Sequence, residues 1–253
     1  MPHPLSSSAT GIADAPYRPS WPGLETYSGA LVHSSEYRNS TAFAGKRVLV
    51  IGFGNSGGEI ALDFANDGVE VALAVRSAVQ IIPRDLLGFP ILSLAILYRH
   101  LPARLVDAIN APVLRLAVGN FEKLGLRRAA KGPRRMVEED GRVPLIDIGT
   151  LAKISDGSIK VRGGVDRFTT DGVMFTDGTT ERFDAIILAT GFRPDLRRLL
   201  PEVEGVFDKH GMPTVTGQAT AAPGLYFCGQ IAVPTGQLRE IAIEAQRSHF
   251  SAR

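Results

Sequence analysis

The stretch VLVIGFGNSGGEIALDFANDG, Val48 to Gly68, restricts the fold more than any other part of the chain. Its opening run is apolar at successive positions, as a parallel strand buried on both faces requires. Gly52, Gly54 and Gly57 then fall in the order GxGxxG. A helix is predicted from about Asn55 to Ala65, stopped by Asn66-Asp67-Gly68. Val69 to Val75 reads as the next strand. Strand, helix and strand within about 30 residues form a βαβ unit, so the predicted class is α/β with a parallel sheet.

The glycine pattern carries a specific chemistry. The first glycine makes the tight turn after the strand. The second lets a diphosphate approach bare backbone, and the third lets the helix pack closely on the strand. The phosphates then sit at the helix N-terminus, where unpaired N–H groups and the helix dipole favour negative charge. Gly52, Phe53, Gly54, Asn55, Ser56 and Gly57 are therefore candidate cofactor-binding residues, with the Asn55 and Ser56 side chains as expected extra donors. At the end of the next strand a carboxylate would bind a ribose 2′-hydroxyl, whereas an arginine suits a 2′-phosphate. The sequence there is VALAVRS, so Arg76 and Ser77 point to NADPH rather than NADH.

Composition excludes several other classes. Twenty-eight basic against 26 acidic side chains leave a formal charge of +2, too balanced to indicate a nucleic-acid or anionic-membrane partner. Cys228 is the single cysteine, which rules out an internal disulfide, a CxxC pair and a thiolate zinc site. The histidines show no metal-ligand spacing, so no metal site is expected. The most apolar segment, LLGFPILSLAILY at residues 86–98, contains Gly88 and Pro90 and is shorter than the roughly 20 residues a membrane span needs. With no secretory signal at the N-terminus, a cytoplasmic protein is expected.

Around the βαβ unit, the first 40 or so residues are rich in Pro, Ser and Gly, with PYRPSWPG as the clearest loop. Residues 85–126 show apolar clusters at helical spacing, expected to be broken at Pro90, Pro102 and Pro112. From Ile159 the period becomes two, and Asp171-Gly172 and Asp177-Gly178 signal hairpins. Ala185 to Ala189 reads as a further buried strand entering Thr190-Gly191. Gly236 to Phe250 reads as an amphipathic helix with Glu240, Glu244 and Arg247 on its wetter side.

Several of these segments together resemble the flavin-containing monooxygenases, in particular the plant YUCCA type. YSGALVHSSEY is similar to the FxGxxxHxxx(Y/F) signature of that family, with Gly29, His33 and Tyr37 in place. GFGNSG is similar to its NADPH turn, GRVPLIDIGTLAKISDGSIKV to a segment of the YUCCA branch, and DAIILATGF and GLYFCG to its later motifs. The resemblance implies a two-dinucleotide-binding flavoprotein architecture, in which a Rossmann-type NADPH domain is inserted in an FAD-binding Rossmann-like domain, here incomplete. The implied divisions are residues 1–40 as linker and remnant of the FAD domain, 41–183 as NADPH domain with a helical and β-hairpin insert, and 184–253 as the C-terminal part of the FAD domain.

The implied activity is an NADPH-, FAD- and O2-dependent oxidation of a small molecule, with indole-3-pyruvate converted to indole-3-acetic acid. Ala189, Thr190, Gly191, Gly229 and Gln237 would face FAD. No side chain presents itself as a general base, so catalytic residues stay unassigned. The resemblance covers roughly the C-terminal two-thirds of a family member: MPHPLSSS runs into ATGIADAPYRP, similar to a first LATG crossing, with no earlier GxGxxG. The expectation is that Ala185–Ala189 and the last helix lack neighbours and expose apolar surface. Oxygenation of an amine or sulfide, and a non-catalytic NADP-binding fragment, remain open alternatives. A flavin disulfide reductase does not, because that chemistry needs a dithiol.

Overall fold

The computed structural model describes residues 6–251 apart from Ile12, Asp14 and Leu87, so the opening MPHPL of the first segment lies outside the described residues. In chain order the first elements are β1 (Ser6–Ser8), β2 (Ala30–His33), β3 (Arg47–Ile51), α1 (Asn55–Asn66) and β4 (Glu70–Ala74). An insert follows with β5 (Ile81–Pro83), β6 (Asp85–Leu86), β7 (Phe89–Pro90), α2 (Ile91–Leu97), α3 (Ala103–Val118), α4 (Pro133–Asp140) and β8 (Leu145–Asp147). Then come α5 (Thr150–Ser155), β9 (Ile159–Arg162), β10 (Val165–Thr169), β11 (Gly172–Phe175), β12 (Thr180–Arg182) and β13 (Ala185–Leu188). β14 (Leu225–Phe227) and α6 (Gln237–Ser251) complete the order.

The central sheet is parallel, in the order β2-β13-β3-β4-β9. Alternate side chains of its strands enter two different cores. Val48, Val50, Val71, Leu73, Ala185 and Ile187 face a layer that includes Ile60 and Phe64 of α1 and Leu151 and Ile154 of α5. Leu49, Ile51, Ala72, Ala74, Ile186 and Leu188 face Phe168, Val173 and Phe175 of the antiparallel β10-β11-β12 meander, with Trp21 and Tyr27 packed beside it. With both faces covered, the pleat puts every other residue into a different apolar layer, so the strands read as continuous apolar runs.

Four expectations are corrected here. The strand expected to be left without neighbours, β13, is paired on both sides, and all four of its residues are fully buried. Its second partner, β2, lies in a segment expected to be loop, because four residues ending in a histidine carry too weak a pattern to announce a strand. Pro112 does not break the helix either. It lies within α3, on the side away from the buried Val106 and Leu114, where water can take up the carbonyl it leaves without a donor. Glu244, expected on the wet side of the last helix, is 7% exposed. Its carboxylate accepts from the Gly229 N–H and from Thr216 Oγ1, both at 2.7 Å, and that unmet backbone donor is what draws an acid inward.

A smaller parallel pair, β1 with β14, lies outside the central sheet. Beyond its C-terminal end, Thr10 and Gly11 are bridged by the side chain of buried Gln230. In the orientation that satisfies every neighbour, this amide donates to Gly11 O at 2.9 Å and accepts from Thr10 Oγ1 at 3.1 Å. Residues 15–17 and 190–193 then run alongside one another. Tyr17 N–H donates to Gly191 O at 2.9 Å, Arg193 N–H donates to Ala15 O at 2.8 Å, and Thr190 Oγ1 donates to Tyr17 O.

Candidate functional site

A cavity of about 470 Å3 opens at the carboxyl ends of β3, β4 and β13. The chain leaves β3 towards β4 on one side while β13 lies on the other, so the crevice is the topological switch point of the sheet, the usual ligand position in open α/β folds. Among the residues picked out from the sequence, Gly52, Phe53, Gly54, Arg76, Ser77, Ala189 and Thr190 line it.

Each glycine of the turn answers to a different constraint. Gly52 has φ 110°, and a Cβ there would stand 2.4 Å from Ala189 O. A Cβ on Gly57 would come within 2.0 Å of Gly52 O, so the third glycine allows the helix to sit against the turn. Gly54 meets nothing within 4 Å and leaves bare backbone towards the crevice. Gly54 also precedes α1 with no side-chain cap, and the first turn carries no acid. The leading N–H groups of α1 are thus left for an anion.

The side chain of Asn55 has a different task from the expected phosphate donor. Its amide donates to Pro144 O at 3.2 Å and accepts from Ile146 N–H at 2.8 Å, so it ties the start of α1 to β8. Asn55 and Ser56 do not line the cavity by their side chains, and Gly57 stands behind it. The turn therefore presents backbone, rather than these two side chains, to the cavity.

Two cations of the site belong to no sequence motif. Arg142 and Arg193 line the cavity beside Arg76, and no carboxylate does. The Arg193 guanidinium stands 3.5 Å from the ring centre of Tyr17, itself a lining residue. Among the described residues none of the three arginines forms an ion pair, and all three are exposed. Gly164 leaves room for the Arg76 stem, since a Cβ on it would meet Arg76 Cγ at 3.2 Å. Trp21, the single tryptophan, completes one wall. Isolated arginines in loops carry no spacing signal, so only the fold brings them together.

Gly191, Gly229 and Gln237 lie outside this cavity, towards β14 and α6. Gly191 has φ 80° and open space around it. Gln237 Nε2 donates to Gly229 O at 3.1 Å, and a Cβ on Gly229 would stand 2.8 Å from Ile241. His33 fixes the crossing from behind. Ser35 N–H donates to its Nδ1 at 3.1 Å, which leaves the proton on Nε2 to donate to Gly191 O at 3.2 Å. That arrangement needs the neutral ring, and burial accordingly pushes the His33 pKa below its ordinary value, partly opposed by the bond to Gly191. Tyr37 of the same segment donates to Asp63 of α1, and its phenol is raised by burial and by that carboxylate. Burial also carries Tyr27 up to about 12, helped by Asp184.

Two chain crossings beside a glycine-cradled switch-point crevice define the two-dinucleotide-binding class of flavoprotein folds. Solved structures of that class superpose on it. An oxidised steroid monooxygenase bound to NADP gives a TM-score of 0.69 at 17% identity, covering 98% of this chain and 60% of that one. A flavin-containing monooxygenase from Stenotrophomonas maltophilia gives 0.60 at 21%, covering 97% and 62%.

The flavin-binding monooxygenase-like family model matches residues 8–206, and the chain belongs to that family. Indole-3-pyruvate monooxygenase YUCCA1 of Oryza sativa subsp. japonica is 41% identical over 208 residues, 82% of this chain and 51% of the relative. Indole-3-pyruvate monooxygenase YUCCA6 of Arabidopsis thaliana is 42% identical over 209 residues, 81% and 50%. The chain thus spans about half the length of the curated relatives it matches.

Proposed function

We propose that the crevice at β3, β4 and β13 binds NADPH, and that the chain works as the nucleotide-binding part of an indole-3-pyruvate monooxygenase that also uses FAD and O2. The observation that carries the nucleotide reading is the pairing of bare, uncapped backbone at Gly52–Gly54 with Arg76, Arg142 and Arg193 and no carboxylate. The diphosphate would lie against the N–H groups that open α1. The 2′-phosphate would meet Arg76, whose planar donor fork suits it. The proposed division is residues 1–40, 41–183 and 184–253, with β2 and β13 pairing into the nucleotide-binding sheet from outside the 41–183 limits.

FAD supplies the oxygen-activating chemistry when bound. This chain offers it one flank: the open backbone at Gly191, the Gly229 turn and the start of α6. The protein's own part is to hold the two nucleotides on either side of the 189–191 crossing, which Gly52 approaches from one side and His33 braces from the other. A small keto acid and O2 are the proposed substrates, by similarity to the named relatives. Among the described residues no helix is long and apolar enough to cross a membrane, and a cytoplasmic location is proposed with the rest.

Trp21 gives a direct test, because it is the one tryptophan and lines the cavity. NADPH should change its emission saturably and more tightly than NADH. The absence of a saturable change, or equal affinity for both, would reject the nucleotide assignment. Flavin absorbance of the purified protein, with conversion of indole-3-pyruvate to indole-3-acetic acid at the expense of NADPH, tests the oxygenase part. A colourless protein that still binds NADPH would favour a nucleotide-binding module.

A further inference from the structure

We propose that a second cavity, walled by β5, β8, α2, α3 and α4, seats a single aromatic ring with one polar edge, carried by the molecule on which the protein acts. The cavity measures about 110 Å3 and is bounded by Ile82, Ile91, Val106, Leu114, Val137 and Ile146. Val233 and Pro234, from the segment leading into α6, close one side. An apolar cavity of about 150 Å3 stays dry and takes up benzene. At about 110 Å3 with an open mouth, this one admits one ring of that size and leaves the rest of the ligand outside. An alkyl chain of equal volume would have to freeze several rotatable bonds on entry, which a rigid ring avoids.

The polar groups on the wall are of two kinds. Asp107 accepts from the backbone N–H groups of Arg134 and Arg135 at 3.0 and 3.1 Å. The Arg134 guanidinium donates to Glu138 and to the carbonyls of Tyr98 and Arg99. These bonds tie the three helices together, and neither charge is left for a ligand. The Asn110 amide and the Tyr98 hydroxyl, both half-buried, have no hydrogen-bond partner among the described residues. Either can accept from a ring N–H or donate to a ring oxygen. A few such groups on an otherwise apolar wall fix the orientation of a small ligand. Position links the cavity to the nucleotide. Val143 lines both it and the crevice, so the two share a wall. Pro144 and Ile146, which the Asn55 side chain grips from the start of α1, line it too. Calling the ring part of a substrate rests on the oxygenase reading, whereas the binding of the ring does not.

Indole, which carries neither phosphate nor acid, is the probe, added to the full chain without NADPH. The methyl resonances of Val106, Leu114 and Ile146 should shift saturably, and that of Ile51 in the nucleotide crevice should not. Indole should bind more tightly than indene, its analogue without the N–H. Ala95→Phe, which sets a ring into the cavity from α2, should weaken indole at least about tenfold. Asn110→Leu, of similar volume, should erase the preference for indole over indene. Circular dichroism confirms that the variants are folded, and the shifts in the unaltered chain locate the ring without them. No saturation, shifts confined to other methyl groups, equal affinity of the unaltered chain for indole and indene, or unchanged indole affinity in folded Ala95→Phe would each overturn the proposal. The two readings fail separately: a chain that binds NADPH but not indole loses the ring pocket alone, and one that binds indole without answering the Trp21 titration loses the nucleotide assignment alone.

Discussion

Arg76 is the residue on which the proposed nucleotide choice turns. It stands at the end of β4, exposed, free of ion pairs among the described residues, with the groove of Gly164 holding its stem. Arg76→Ala should weaken NADPH roughly tenfold to hundredfold and leave NADH almost unchanged, as measured by Trp21 emission. Gly52 is under backbone constraint instead. Its φ of 110° and the approach of Ala189 O leave no room for a methyl group. Gly52→Ala should cost at least about 1–3 kcal/mol in denaturant unfolding and abolish NADPH binding. His33 brings a pH dependence. Its folded-state pKa is depressed, so the stability it confers is complete above the ordinary histidine value of 6.5 and is lost as pH falls through the lower folded value. The urea midpoint should drop across that window, and a His33→Gln variant should show a shallower drop.

At the level of elements, two helices are each held by a single side chain, at the start of α1 and in the middle of α6. Asn55 clasps β8 through two hydrogen bonds, and Asn55→Ala should cost about 1–2 kcal/mol and speed amide exchange at Ile146. Glu244 anchors α6 to the Gly229 turn. Glu244→Ala leaves a buried N–H without its acceptor, at a cost of about 1–3 kcal/mol, and should expose α6 to limited proteolysis. If the Gly229 turn serves FAD, the same variant should lose flavin more readily than NADPH, read as the absorbance retained after gel filtration.

For the molecule as a whole, the parallel sheet is sealed by helices on one face and the meander on the other. A nucleotide that joins β3, β4 and β13 at their carboxyl ends should stabilise all of this together. At a hundredfold excess over Kd the gain is about 2.7 kcal/mol, visible as a rise in Tm with NADPH that NADH at equal concentration does not match. Equal shifts for the two nucleotides would contradict the role given to Arg76.

Much of this arrangement was legible in the chain itself. Val48 to Gly68 announced strand, turn and helix to within a residue or two, since an apolar run and three spaced glycines admit few other conformations. The hairpins at Asp171 and Asp177 were equally local. By itself the sequence determined the βαβ unit and the shape of the glycine turn, because each rests on residues adjacent in the chain. Only the tertiary structure decided where β2 and β13 pair, that Glu244 turns inward, that Asn55 clasps β8 rather than a phosphate, and that Arg142 and Arg193 join Arg76. Those outcomes depend on which distant backbone donors, carbonyls and charges the folded chain brings within a few ångströms, and no local pattern encodes that.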